Sequence, residues 1–394
     1  MKKLVCVSLL ILSCCLSAAD VRFIVSVPAN TPADARLTLG GDFNGWNPAN
    51  PRYRMEKLPS GQYQYLFKNV RAGTVLNFKV TRGSWKTVEI AADGSNRDNR
   101  AYSVSNEDQV IESSVAEWAD LSNKEAPSTI VGDVRMETIE LPTFAGKRQL
   151  RIYLPPDYDT SNKRYPVIYM TDGQNLYDKK IANAGEWQVD ELMEKLNQQS
   201  SPLTSIVVGI DHAGDNRRME YLPFAYDGVS YKKEADGQPT KGKGEQFSDW
   251  LALTLKPDID KRFRTKPERE YTSMIGSSMG GLISCYTVLK HQEVFSKAAC
   301  LSSAFLKRLV AEHWVNYIKS TKKRLPTKFY MDMGDNEFGL FGNDILKETA
   351  EVEQLLLQSG FTDKEVNNQV IKGGTHDEPS WRARLLTILE WLQQ

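Results

Sequence analysis

Tyr271–Tyr286 reads YTSMIGSSMGGLISCY. Within it, Gly276-Ser277-Ser278-Met279-Gly280 is a G-x-S-x-G pattern. Tyr271, Met274 and Ile275 suit a short buried strand, and Leu282, Ile283, Cys285, Tyr286, Val288 and Leu289 suit a buried helix. Strand, sharp turn and helix form the context that lifts a serine hydroxyl clear of the backbone at the top of a sheet. Gly276 and Gly280 must be small, because helix and strand close on each other there.

A serine hydroxyl is a weak nucleophile without a general base in hydrogen-bond reach. The chain has four histidines, so the base is found by elimination. His291 ends the helix after the serine, among Lys290 and Glu293, and His313 sits in an amphipathic helix. His212 follows a strand end but precedes the serine. His376, in Gly373-Gly374-Thr375-His376-Asp377, alone fits the order Ser…Asp/Glu…His of the α/β-hydrolase fold. The carboxylate that orients the imidazole should follow a strand between them. Met333-Gly334-Asp335-Asn336-Glu337 offers Glu337 first and Asp335 second. The oxyanion of acyl transfer needs two preorganised N–H donors. Met279 supplies one, and Gln174, in the turn Thr171-Asp172-Gly173-Gln174-Asn175, is the choice for the other, to within a residue.

Working outward, the 394 residues have ordinary composition and zero formal net charge, which suits two or more globular units. Nucleic acid is not an expected partner, since no basic footprint is present. Lys2, Lys3, apolar Leu4–Leu16 and small Ser17-Ala18-Ala19 read as a signal peptide over 1–19, with export to a periplasm or the exterior. The rival is a lipoprotein signal, with Cys14 or Cys15 as the lipidated residue and the only membrane attachment. After cleavage only Cys285 and Cys300 remain, expected as two buried thiols rather than a disulfide.

Residues 20–108 carry short alternating strands between Gly, Pro and Asn clusters, expected as a small all-β, immunoglobulin-like sandwich. Gly40-Gly41-Asp42-Phe43-Asn44-Gly45-Trp46-Asn47-Pro48 and Phe78-Lys79-Val80-Thr81-Arg82-Gly83-Ser84-Trp85 resemble starch- and glycogen-binding carbohydrate modules. That resemblance implies that Trp46 and Trp85 stack on sugar rings. Residues 109–127 are polar and unpatterned, and read as a linker.

From 128 to 394, near-continuous apolar strands alternate with amphipathic helices, after an opening antiparallel pair (Met136–Leu141, Gln149–Leu154). The expected fold class is α/β, with a mostly parallel sheet covered on both faces. Arg151–Tyr158 (RIYLPPDY), Tyr169–Asn175 (YMTDGQN), Val207–Asp211 (VVGID), Arg217–Phe224 (RRMEYLPF), Gly276–Gly281 (GSSMGG), Met331–Glu337 (MDMGDNE) and Gly373–Leu385 (GGTHDEPSWRARL) resemble an esterase family of α/β-hydrolases. Its members include enterochelin-type siderophore esterases, S-formylglutathione hydrolase, feruloyl and acetylxylan esterases and mycolyltransferases. By that resemblance Arg218, Glu220 and Tyr221 lie beside the cleft, with Arg218 and Glu220 read as a structural ion pair. The aromatic-rich segment between Ala213 and Glu245 reads as a lid or binding loop, its aromatics stacking on substrate or packing the loop down.

The expected activity is exported serine carboxylic-ester hydrolysis of an acylated glycan or other small ester, with no metal or cofactor required. The alternatives are a siderophore trilactone esterase and a non-catalytic carbohydrate-binding protein.

Overall fold

A computed structural model describes residues 18–143, 146–182, 185–226, 240–305, 307–337 and 342–394. Most of the segment read as a signal peptide, and Tyr231 of the aromatic-rich loop, lie outside the described residues.

The first unit is all β. One sheet has the order β3-β4-β1-β8, built from β1 (Ala18–Ser26), β3 (Glu56–Lys57), β4 (Tyr63–Arg71) and β8 (Gln109–Ser114). A second has the order β2-β5-β7, from β2 (Thr38–Gly41), β5 (Val75–Thr81) and β7 (Arg100–Ser103). The period-2 burial of β1 sends Val21, Phe23 and Val25 into a core shared with Leu39, Phe67, Phe78 and Val80. Phe23 meets Phe78 edge-on at 5.1 Å. The expected linker is corrected here over its first half. Residues 109–114 pair in parallel with β1, and β9 (Glu117–Trp118) pairs with β6 (Glu89–Ile90), burying Trp118 in the same core. The polar composition of β8 misleads because it is an edge strand whose side chains alternate between half-buried and exposed.

The second unit has an eight-stranded sheet, β10-β11-β13-β12-β16-β17-β18-β19. β10 (Asp133–Glu140) and β11 (Lys147–Leu154) are the expected antiparallel pair, and β11 also runs antiparallel to β13 (Ile206–Ile210). The remaining pairings, through β12 (Val167–Thr171), β16 (Thr272–Ser277), β17 (Lys297–Leu301), β18 (Lys328–Gly334) and β19 (Val366–Ile371), are parallel. A small β14–β15 hairpin (Ala225–Tyr226, Thr240–Lys241) stands apart from it. Two apolar clusters cover the faces of the sheet, one around Leu251, Leu282, Ile283 and Phe329, the other around Trp187, Met193, Ile275 and Ile388. The chain is therefore an α/β-hydrolase fold with a mixed, largely parallel sheet and an accessory β region. No helix among the described residues is long and apolar enough to cross a membrane.

Cys285 and Cys300 are a second correction: they form a disulfide, with Cα atoms 6.0 Å apart. The helix Met279–Lys290 runs back along β17, so the two residues face each other within bridging range. Their apolar surroundings, read as a sign of inert thiols, hold for a buried disulfide equally well.

Candidate functional site

In an open parallel sheet, ligands bind beyond the carboxyl ends of the strands, where the strand order reverses. Here β13 lies on one side of β12 and β16 on the other. The residues singled out in the sequence follow the ends of these strands. Gln174 follows β12, Ser278 follows β16, Glu337 follows β18 and His376 follows β19.

Ser278 has φ 57° and ψ −124°, a sparsely populated conformation for a residue with a side chain. Packing holds it there. A Cβ at Gly276 would lie 2.4 Å from Thr171 Oγ1, and one at Gly280 only 2.3 Å from the same atom. The Ser278 N–H donates to Leu301 O at 2.9 Å, and its carbonyl accepts from Ala304 N at 3.1 Å. Its side chain is half-buried, in a neighbourhood of fully buried residues.

Glu337 and His376 are brought together across 39 residues. Glu337 Oε2 is 2.8 Å from His376 Nδ1, and both residues are buried. The other oxygen of Glu337 accepts from Gly334 N at 2.8 Å and from Ser302 Oγ at 2.6 Å. The competing acid is engaged elsewhere: Asp335 is exposed, and its Oδ1 accepts from Gly373 N at 2.6 Å, tying down the loop that carries His376.

Behind the pair is a polar brace that sequence reading missed. Ser302, at φ 44°, accepts from Trp381 Nε1 at 2.8 Å while its own hydroxyl points to Glu337. Trp381 presents its ring to His376 edge-on, centroids 5.2 Å apart. Arg384 clamps Asp332 at 2.6 and 2.9 Å, and Asp332 caps Ser302 N at 3.0 Å. Trp381 and Arg384 stand in the GGTHDEPSWRARL stretch, and Ser302 at a strand end, but nothing local assigns them partners.

The N–H groups at the start of a helix have no partner within it. Met279 is the first residue of the helix after Ser278, and Gln174 lies in the short 3₁₀ turn Gly173–Asn175. Asp172, at φ 57°, starts that turn, and Arg217 grips its carboxylate at 2.5 and 2.7 Å. The Gln174 side chain accepts from His212 N at 3.2 Å. Asn175 Nδ2 donates to Glu378 Oε1 at 2.8 Å, and burial pushes the Glu378 carboxyl up to about 8.

The other histidines make different contacts. Burial lowers His212 to about 4, and its Nδ1 accepts from Gly214 N at 2.8 Å. His291 meets Asp249 at 2.9 Å, and His313 stacks on Phe224 at 6.2 Å. The expected Arg218–Glu220 pair is replaced by Arg148–Glu220 at 2.6 Å, because β11 carries Arg148 over the buried Glu220. In the aromatic-rich segment, Tyr221 is buried and Phe224 packs on Tyr286, Trp314 and Tyr317, so these two hold the segment to the body.

In the β unit, Asp42 is buried, which raises it to about 7 against the opposing hydrogen bonds from Asn77. Trp46 and Trp85 come together with ring centroids 6.4 Å apart, and Trp85 is 40% exposed. Trp46 is only half-buried and has φ 59°.

The family model described as "Putative esterase" matches residues 142–392. YbbA of Bacillus subtilis is 29% identical over 251 residues, which is 63% of this chain and 93% of that protein. An alpha-amylase of Niallia circulans is 41% identical over 103 residues, 26% of this chain but only 8% of the amylase. Among solved structures, the enterobactin esterase of Shigella flexneri in the presence of enterobactin aligns with a TM-score of 0.55 and 14% identity, covering 91% of this chain and 87% of that one.

Proposed function

The chain belongs to the Putative esterase family and is a carboxylic-ester hydrolase, and we propose that Ser278, His376 and Glu337 are its catalytic triad. The observation that carries this is the 2.8 Å contact between Glu337 Oε2 and His376 Nδ1. With Nδ1–H given to the carboxylate, the proton-accepting lone pair of the imidazole lies on Nε2. Nε2 takes the Ser278 proton as Oγ attacks the ester carbon. The N–H groups of Met279 and Gln174 receive the oxyanion, each worth about 2.7–4 kcal/mol in such sites. The leaving alcohol takes the proton back from His376, and water then resolves the acyl-serine by the same path.

For the substrate, the reading best supported is a siderophore-type ester, a polyester of aryl-capped hydroxy acids. Its support is a likeness in fold that spans both units, 91% of the chain, to the enterobactin esterase of Shigella flexneri. A second reading, an acylated carbohydrate, is favoured by the Trp46–Trp85 pair and by the 103-residue similarity to an amylase. Under it the N-terminal unit is an immunoglobulin-like glycan-docking module. Both readings take the chain to be exported, from the signal-like residues 1–19.

The test is a panel of a trilactone siderophore, a feruloylated oligosaccharide and an acetylated oligosaccharide, compared by kcat/KM. A preference of at least about tenfold for the trilactone, about 1.4 kcal/mol, supports the first reading, and the reverse preference supports the second. If turnover is unchanged in Ser278→Ala, the mechanism itself fails.

A further inference from the structure

Three carboxylates meet at the start of the helix Val189–Gln198, and none of them belongs to the residues proposed for ester cleavage. One oxygen from each of Glu186, Asp190 and Glu191 lies within 4.8 Å of the others. Acidic residues in a first helical turn are ordinary, because they complement the helix dipole. Burial is what sets this group apart. Glu186 is 3% exposed and Asp190 is fully buried. Asp190 Oδ2 accepts from Val131 N at 2.8 Å, but Asp190 Oδ1 and Glu191 Oε2 are buried without a hydrogen-bond donor. Glu186 Oε1 accepts from Thr129 Oγ1 at 2.9 Å. A buried carboxylate oxygen with no donor demands either a cation or a proton.

The charges around the group do not neutralise it. Asp178 adds a fourth negative carboxylate nearby, its oxygens taken up by Ser128 Oγ, Thr129 N and Lys180 N. Arg382 donates to the backbone carbonyl of Glu186 rather than to its carboxylate. Lys180 directs its ammonium to Glu125. All donors offered are hard oxygens, the set that suits calcium better than zinc or copper.

We propose that Glu186, Asp190 and Glu191 form a structural site for a divalent, oxygen-ligated cation of the calcium class. The site clips three segments together: the connecting segment at Thr129–Val131, the strap at Glu186–Trp187 and the helix Val189–Gln198. The strap leads to the esterase machinery. Trp187 N donates to Asn175 O at 2.8 Å, and the Trp187 ring stacks on Trp381 at 5.8 Å. A bound cation therefore stiffens the turn that carries Gln174 and the ring that backs His376, without touching substrate. The rival occupant is a proton shared between Asp190 and Glu191. Burial, and after it the hydrogen bond with Glu191, raise the Asp190 carboxyl, the direction that rival requires when no cation is present.

The experiment is calcium titration of the chelator-treated full chain by isothermal calorimetry at pH 7.5, paired with thermal unfolding in calcium and in EDTA. The expected result is one site per chain and a Tm higher in calcium by about 5 °C at a hundredfold excess over Kd. Glu191→Gln should abolish the binding heat and the calcium-dependent shift. Absence of binding heat in the wild-type chain, with equal Tm in calcium and EDTA, overturns the site and assigns the oxygens to a shared proton. An undiminished response in both Glu191→Gln and Asp190→Asn overturns it as well, by placing the cation elsewhere. These readouts are independent of ester turnover.

Discussion

Ser278 and Trp46 hold nearly the same unusual backbone angle, φ 57° and 59°, each close to a glycine and each in a different unit. They are held by different means. Around Ser278 the restraint is tertiary: Thr171 from another strand leaves no room for a Cβ at Gly276 or Gly280. Around Trp46 it is local. Asn44 accepts from Gly41 N at 3.0 Å and donates to Leu39 O at 2.8 Å, and Trp46 N donates to Gly41 O at 2.8 Å. A Cβ on Gly45 would meet nothing within 4 Å. The elbow is a position the whole sheet enforces, whereas the tryptophan loop is a self-stitched turn on a surface. Strain enforced by packing suits a nucleophile that must not move; a local turn suits a flat contact.

The largest effects should come from the enforced side. Ser278→Ala should lower kcat by about 10⁴-fold or more against any ester substrate, with Tm unchanged, because neighbours use only the Ser278 backbone. Steady-state rates and thermal unfolding of the same preparation check both halves. Glu337→Gln should cost about 10³–10⁴ in kcat, since an amide no longer stabilises the charged imidazole. Asp335→Asn should stay within about threefold, and the opposite ranking would exchange the two acids.

Stability then separates the two turns. Gly280→Ala drives a methyl group against Thr171 and should cost about 3 kcal/mol, while Gly45→Ala, with open space but φ 65°, should cost about 1–2 kcal/mol. Similar losses at both sites, measured by denaturant unfolding, would erase the distinction.

A pH experiment probes the turn that carries Gln174. Glu378 is raised by burial to about 8, above its unfolded value near 4.5. The folded state therefore binds the proton more tightly, and the stability this contributes is full below about 4.5 and is lost as pH rises to about 8. Glu378→Gln keeps an acceptor for Asn175 but cannot ionise. Its Tm advantage over the parent should grow by several degrees between pH 4.5 and 8 and then level off, whereas a constant offset would show that Glu378 titrates normally. The smallest effect belongs to the surface: Trp85→Ala should reduce retention on an insoluble α-glucan by about tenfold and leave kcat on a soluble ester within twofold. If the parent protein migrates freely through that glucan, the docking reading of the pair fails.

The legible parts of the chain were those written in one short window. The strand–turn–helix around Ser278, the alternation of β1 and the opening antiparallel pair each depend on neighbours a few residues away. The last strands of the first unit were not legible, because an edge strand such as Gln109–Ser114 buries little and carries a polar composition. The disulfide was missed for a related reason. Burial of Cys285 and Cys300 is readable, but their facing each other depends on how one helix lies along the neighbouring strand.

By itself, then, the sequence determined that a serine stands at a sharp turn, that His376 is the histidine placed after it in the required order, and that two acids compete to support it. Only the tertiary structure shows which of them meets it: Glu337 contacts His376, and Asp335 accepts from the Gly373 backbone. It also supplied Ser302, Trp381 and Arg384, and gathered Glu186, Asp190 and Glu191 around buried oxygens. The reason is physical. A turn or an alternation is settled by torsions and contacts within a few residues, whereas a hydrogen bond between residues 35 to 82 positions apart exists only once strand order and helix packing have brought their segments to one edge of the sheet.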